Sequence, residues 1–194
     1  MIRIFDFFIA LIGVVFLMPL MVIIFLILYL ENKSPFFFQE RVGKNFRNFT
    51  LIKFRTMHKG TKNCATHLVE SSRITTLGAF LRRTKLDEIP QLLNVLKGEM
   101  SIVGPRPCLP NQKELIKFRQ EYNIHLSLPG ITGLAQVRGV DMSDPLFLAK
   151  TEFEMIKKFN IVYYFWFIFI TLIGNGFGDR VKEKDKKDKK DVSN

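Results

Sequence analysis

Residues 7–30 read FFIALIGVVFLMPLMVIIFLILYL, an uninterrupted apolar run without a charge. As a helix this run is about 36 Å long, against about 30 Å for the hydrocarbon core of a bilayer. It is too long for the apolar region of a secretory signal, and no small-x-small cleavage site follows, so it reads as a retained anchor. Pro19 sits near its middle, where it removes one helical hydrogen bond and pushes against the preceding turn. Two arrangements fit: a kinked helix that crosses the bilayer, or two legs that enter and leave by the same face. Hydropathy alone favours the crossing. Lys33, Arg41, Lys44 and Arg47 follow the run and only Arg3 precedes it, so the positive-inside rule puts residues 31 onward in the cytoplasm without fixing the N-terminus.

The rest of the chain is as unusual as the run. Lys and Arg number 29 against 18 acidic residues, a net charge of +11, yet 47% of the 194 residues are hydrophobic and 20 are Phe. High hydrophobicity excludes a disordered chain, and two Cys without CxxC spacing exclude a disulfide scaffold. Cys64 and Cys108 read as free thiols of a reducing compartment. The three His, His58, His67 and His125, lack metal-ligand spacing and read as surface or loop residues. Nucleic-acid binders are basic but seldom so apolar; a basic protein at a membrane surface accounts for both properties.

Beyond the anchor, SPFFFQERVGKNFRNFTLIKFRTM (34–57) reads as a β-hairpin around Gly43-Lys44-Asn45. Residues 58–73 form a polar loop. Helices are expected over 76–83 and 87–97, the second capped by Asp87, with Pro90 in its first turn and Gly98 ending it. Three prolines keep 99–110 from being a long helix. Residues 111–124 read as helical, 127–141 as Gly-rich and strand-like, and 145–159 as helix. IVYYFWFIFITLIG (161–174) is too short to span a bilayer; its Tyr and Trp favour an interfacial helix over a buried core helix. The charged stretch 179–194 reads as a disordered tail. GNGFG (174–178) lacks the spacing of a dinucleotide fingerprint.

Asp87 and Glu88 stand together in LDEIPQL at a helix start. Adjacent helical residues point about 100° apart, so both carboxylates can border one pocket. Alone, such a pair is more often a cap than a catalyst. The basic residues shift the balance: Lys53, Arg55, Arg82, Arg106 and Arg138 lie beside turns, prolines or glycines, and Arg106 is clamped as Pro105-Arg106-Pro107. An immobilised guanidinium suits bidentate phosphate contacts, a carboxylate near phosphate oxygens suits Mg²⁺, and a carboxylate nucleophile can form an acyl phosphate. Together these features point to phosphate chemistry at a bilayer.

KFRTM (53–57), LDEIPQLLNVLKGEMSIVGPRP (86–107) and PGITGLAQV (129–137) occur in this order, and with them the chain resembles the bacterial sugar transferases, the monotopic phosphoglycosyl transferases, from the anchor to about residue 178. The resemblance implies an α+β protein: a re-entrant membrane helix broken near Pro19 (1–33), a compact cytoplasmic domain with a β-hairpin and interfacial amphipathic helices (34–178), and the tail. It implies transfer of a sugar 1-phosphate from a UDP-sugar to polyprenyl phosphate with Mg²⁺, on the cytoplasmic face of the bacterial inner membrane. Asp87 would be the nucleophile and a metal contact, and Glu88 its dyad partner. Arg106 and Arg82 would line the phosphate site, with lesser substrate-binding roles for Lys53, Arg55, Gln136 and Arg138. Small members of the family suggest an N-acetylated amino sugar. An anionic membrane is the expected surface, no nucleic acid is expected, and a homodimer is left open. The competing reading is a non-enzymatic basic module on anionic lipid; against it, the arginines sit beside constrained turns and not along one face.

Overall fold

The structure is a computed structural model and describes residues 2–60 and 73–173. Helix α1 (Ile2–Asn32) is a single helix of 31 residues with Pro19 inside it. The expected break at Pro19 does not end the helix: proline forfeits one hydrogen bond and bends a helix, but flanking residues keep helical geometry. One stripe of α1 faces the rest of the protein along its length, with Asp6, Ala10, Ile24 and Leu28 buried and Gly13, Leu17 and Leu20 half-buried between them. That spacing of three and four is a single helical face.

Polar bonds fasten the N-terminal end. Arg3 donates to the carbonyls of Val95 (2.6 Å) and Met100 (3.0 Å). Asp6 Oδ1 accepts from Ser101 Oγ (3.0 Å), Ile102 N (2.9 Å) and Tyr164 OH (2.9 Å). At the other end, Ile24 and Leu28 join Phe54 and Leu81 in a buried cluster. Both ends of α1 therefore rest on one domain. Its outer face exposes Phe8, Ile12, Phe16, Ile23 and Leu30, and the helix is long and apolar enough to cross a membrane.

The hairpin forms as the sequence reads. Strands β1 (Phe36–Val42) and β2 (Asn48–Phe54) pair antiparallel from Phe36↔Phe54 to Val42↔Asn48, joined through a 3₁₀ turn at Lys44–Phe46. Buried Asn94 closes the free edge of β2, accepting from Ile52 N (3.1 Å) and donating to the Thr50 carbonyl (2.8 Å). A side chain thus occupies the place of a third strand.

Helix α2 (Thr76–Thr84) starts on the Thr75 hydroxyl, which accepts from Gly78 N. It ends at Lys85, which adopts the left-handed conformation (φ 58°). A 3₁₀ turn, Leu86–Glu88, precedes α3 (Gln91–Lys97), and Gly98 at φ 86° ends α3. The expected helix over 87–97 is therefore shorter, and Asp87 is not its cap: Pro90 holds that position and no side chain caps the helix. The left-handed Lys85 resets the chain direction, so the acid pair falls on a tight turn between two helices.

Strand β3 (Ser101–Val103) pairs in parallel with β4 (Gly130–Thr132). The two loops after and before them touch backbone to backbone: a Cβ on Gly130 would lie 2.0 Å from the Gly104 nitrogen. This contact joins the VGPRP and PGITG segments. Helix α4 (Lys113–Glu121) follows as expected, but α5 (Leu134–Arg138) replaces the strand expected after Gly133. Leu134, Ala135, Gln136 and Arg138 are good helix formers, and their propensity outweighs the glycines that flank them. Helix α6 (Pro145–Lys157) is capped by Asp144 and α7 (Ile161–Leu172) by Asn160. Helix α7 serves the core and the surface together: Tyr164 and Phe167 are buried, while Val162, Phe169 and Leu172 are exposed. It is apolar on both faces, so the amphipathic pattern expected of it is absent; its inner face needs apolar groups as much as its outer one.

The fold is mixed α/β, with an N-terminal apolar helix and, among the described residues, two small sheets. Its main core gathers Ala10, Phe49, Leu51, Val95, Met100 and Tyr164 from α1, β2, α3 and α7 and the turn before β3. Cys108 is a buried free thiol, and His125 stacks on Phe46 at 4.6 Å. Cys64, His67, the GNGFG segment and the tail lie outside the described residues.

Candidate active site

The turn Leu86–Glu88 sets Asp87 and Glu88 against the end of β2, the last turn of α2 and the loop after β3. Lys53 on β2 donates to Glu88 Oε1 at 2.8 Å, with both side chains about four-fifths buried or more (15% and 21% exposed). Arg82 on α2 is anchored by donating Nε–H to Thr56 Oγ1 at 2.8 Å. Asp87 itself is 7% exposed, and among the described residues no other side chain hydrogen-bonds to its carboxylate or ion-pairs with it.

This division separates the two acids electrostatically. Burial pushes the Asp87 carboxyl up to about 6; the charge of Lys53 acts against it, that of Glu88 adds to it, and Arg82 and a backbone hydrogen bond lower it further. Burial also raises Glu88, but the charge and hydrogen bond of Lys53, with Arg106 and Lys85, outweigh it and hold Glu88 below the usual carboxylate range. Near neutral pH Glu88 is a paired carboxylate. Asp87 has raised basicity and, among the described residues, no side-chain partner.

Arg106 reaches the pair from a loop whose backbone is tied down. Its N–H donates to Glu152 Oε1 (3.0 Å) and its carbonyl accepts from Arg119 (2.6 Å). Arg119 and Glu152 themselves form a buried bidentate pair at 2.6 and 2.8 Å. On the other side, Arg41 donates to the Pro107 carbonyl (2.8 Å), and Val42 N to the Cys108 carbonyl (2.9 Å). Burial lowers the Arg106 guanidinium, and Glu88, Asp141 and Glu152 partly restore it.

Lys53, Arg82, Asp87, Glu88 and Arg106 thus come together as the sequence suggested. The other three do not. Arg55 is spent on the base of the hairpin, donating to the carbonyls of Ser34 and Phe36 (3.1 Å each) and lying 5.5 Å from the centre of the Phe37 ring. Gln136 points between the two touching loops, near the carbonyls of Gly104 (3.4 Å) and Gly130 (3.3 Å). Arg138 pairs with Glu154 at 2.8 Å on the outside of α6.

Two cations escaped the sequence reading. Lys85 is half-buried beside Glu88 and Arg106, and burial lowers its ammonium. A non-glycine residue costs about 1 kcal/mol in the left-handed conformation, and this one stands next to the acid pair. Its place between LRRT and LDE was the available signal. Arg41 is 7% exposed, and burial, helped by Arg106, lowers it to about 10.

The structure thus combines an apolar helix long enough to cross a membrane with an acid pair set among cations. The chain belongs to the bacterial sugar transferase family, whose model matches residues 1–175. It is 40% identical over 133 residues to a putative undecaprenyl-phosphate N-acetylgalactosaminyl 1-phosphate transferase of Bacillus subtilis, covering 67% of this chain and 70% of that protein. It is 37% identical over 155 residues to the exopolysaccharide production protein ExoY of Sinorhizobium fredii, covering 71% and 68%. A UDP-N-acetylgalactosamine-undecaprenyl-phosphate N-acetylgalactosaminephosphotransferase of Aeromonas hydrophila is 34% identical over 188 residues; these are 90% of this chain but only 44% of that longer protein.

Proposed function

We propose that the protein transfers a sugar 1-phosphate from a UDP-sugar to polyprenyl phosphate, with Asp87 as the nucleophile. The observation that carries the assignment is the split between the acids: Glu88 is held by Lys53, whereas Asp87 is buried, of raised basicity and, among the described residues, without a side-chain partner. In the first step Asp87 attacks the β-phosphorus of the donor. The bond from that phosphorus to the bridging oxygen breaks, UMP departs and an aspartyl phosphosugar remains. In the second step an oxygen of polyprenyl phosphate attacks the same phosphorus, the aspartyl–phosphorus bond breaks and Asp87 is restored. Glu88, ionised at neutral pH, takes a proton from the acceptor phosphate or positions it. Arg106, Arg82 and Lys85 neutralise the diphosphate. One phosphoanhydride replaces another, so catalysis rests on positioning and charge stabilisation.

The donor set fits Mg²⁺. Among the described residues no three His, Cys, Asp or Glu side chains converge, and Mg²⁺ is commonly held by one or two carboxylates with phosphate oxygens and water. Asp87 would contact the ion, which when bound supplies further charge neutralisation for the phosphates. An N-acetylated amino sugar is the proposed cargo, supported by two relatives named for N-acetylgalactosamine, while two others are named for galactose and glucose. A screen of UDP-sugars with undecaprenyl phosphate, read as UMP release, is the direct test; no release with any donor would favour the binding-module reading. In the metal-free protein the Asp87 carboxyl should titrate with a midpoint near 6, read from its carboxyl chemical shift. In Lys53→Met that midpoint should move up by about one unit, because an opposing charge is lost. An unmoved midpoint would remove Lys53 from the dyad's electrostatics.

The anchoring we propose is monotopic, with α1 re-entering the cytoplasmic face of the inner membrane. Support comes from the docking of both its ends on one domain. A crossing helix would carry one end about 30 Å away from the other side's residues. An impermeant maleimide applied outside spheroplasts should label neither a cysteine placed ahead of Met1 nor Lys33→Cys. Outside labelling of the first would show that α1 crosses.

A further inference from the structure

A second polar cluster lies at the ends of α5 and α6, just before the start of α7. Arg138 and Lys158 both pair with Glu154, at 2.8 and 3.4 Å, so the cluster carries one surplus positive charge. It rims an open groove of about 610 Å³ whose far wall is Val162, Tyr163 and Trp166. That volume falls in the range of small-ligand sites. On α7 the groove wall borders the exposed apolar face of Phe165, Phe169 and Leu172, and Phe165 meets Phe5 of α1 edge-on at 5.5 Å. The groove therefore opens at the margin of the apolar surface that α1 and α7 share, with Trp166 at the boundary.

We infer that this groove seats the headgroup of an anionic phospholipid, its phosphate on Arg138 and Lys158 and its upper acyl chains along Val162, Tyr163 and Trp166. Charge and layout favour that occupant. Exposed ion pairs are worth little, so Arg138 and Lys158 can exchange part of their contact with Glu154 for a phosphate at small cost. Tyr and Trp favour the headgroup level, with cations just above it. Arg138, read from the sequence as a substrate-binding residue, is thereby assigned to holding the domain on its membrane. The inference does not depend on the nucleophile or on the donor.

Trp166 is the only tryptophan in the chain, so its fluorescence reports on the groove directly. The full-length protein is placed in phosphatidylcholine nanodiscs containing a minor fraction of bromine-labelled lipid, either phosphatidylglycerol or phosphatidylcholine. Quenching should be stronger with brominated phosphatidylglycerol, corresponding to about fivefold local enrichment for one net charge at the surface. The double variant Arg138→Gln/Lys158→Gln should lose that preference and keep its quenching by brominated phosphatidylcholine, which also reports that α7 remains folded in place. Lys113→Gln/Lys117→Gln removes the same charge from α4 and should keep the preference. Equal quenching by both lipids in the unaltered protein would overturn the inference. So would equal loss of preference in both double variants, which would mark bulk attraction only. Displacement of brominated phosphatidylglycerol by undecaprenyl phosphate would also overturn it, because the groove would then belong to the acceptor.

Discussion

Asp87→Asn should abolish sugar-phosphate transfer while making the folded protein more stable at neutral pH. The first effect follows from the chemistry: a carboxamide does not form the acyl phosphate, and losing a covalent nucleophile should lower UMP release by about 10⁴-fold or more. The second follows from burial. A carboxyl whose folded pKa is raised to about 6 binds its proton more tightly when folded than when unfolded. Its contribution to stability is present in full below about pH 4 and is lost as pH rises through about 6. Above that range the ionised, buried carboxylate opposes folding by on the order of 2–3 kcal/mol. Asn carries no charge, so the variant should melt several degrees above the parent at pH 7.5, and the two should converge near pH 4. Wild-type UMP release from the variant would end the nucleophile assignment. A variant no more stable at pH 7.5 would show that the Asp87 charge is compensated, and the raised basicity would go with it.

Such a trade of stability for activity is the sort of local conflict a sequence can reveal only in part. The hairpin, α2 and α6 were legible, because each rests on local signals such as alternation around a turn; the grouping of Lys53, Arg82, Asp87, Glu88 and Arg106 rested on the family motifs, since the same local signals marked Arg55 and Arg138, which lie elsewhere. The groups that hold the site were not legible. Arg119, Glu152, Arg41 and Asn94 reach partners far along the chain, and nothing in their own neighbourhoods names those partners. One signal was present and unused. Leu148, Ala149, Glu152 and Met155 share a helical face and all are buried, so Glu152 is a lone acid in an apolar stripe and requires a buried cation. Asp6 could have been read the same way from the N-terminal end of α1. The acid pair was expected at a helix N-terminus because Pro90 and Gly98 bracket a helix; a left-handed lysine one residue before Leu86 has no such signature.

Those long-range partners yield the largest expected loss of stability. Arg119→Met should destabilise the protein by about 3–5 kcal/mol, because it strands the Glu152 carboxylate, 1% exposed, without its counter-charge. Replacing both members, as Arg119→Met/Glu152→Met, should recover most of that stability, since a buried ion pair exchanged for apolar groups of similar volume is often neutral. Activity should not recover with it. Glu152 accepts the Arg106 N–H and Arg119 donates to the Arg106 carbonyl, so the double variant frees the backbone on both sides of the one arginine that the PRP loop presents to Glu88. The double variant should therefore melt close to the parent and yet show a raised KM for the donor and a reduced kcat for UMP release. Recovery of both stability and turnover would mean that Arg106 is held by Pro105, Pro107 and Arg41 alone. A double variant as unstable as the single one would mean that the pair contributes shape and hydrogen bonds that no apolar replacement can supply.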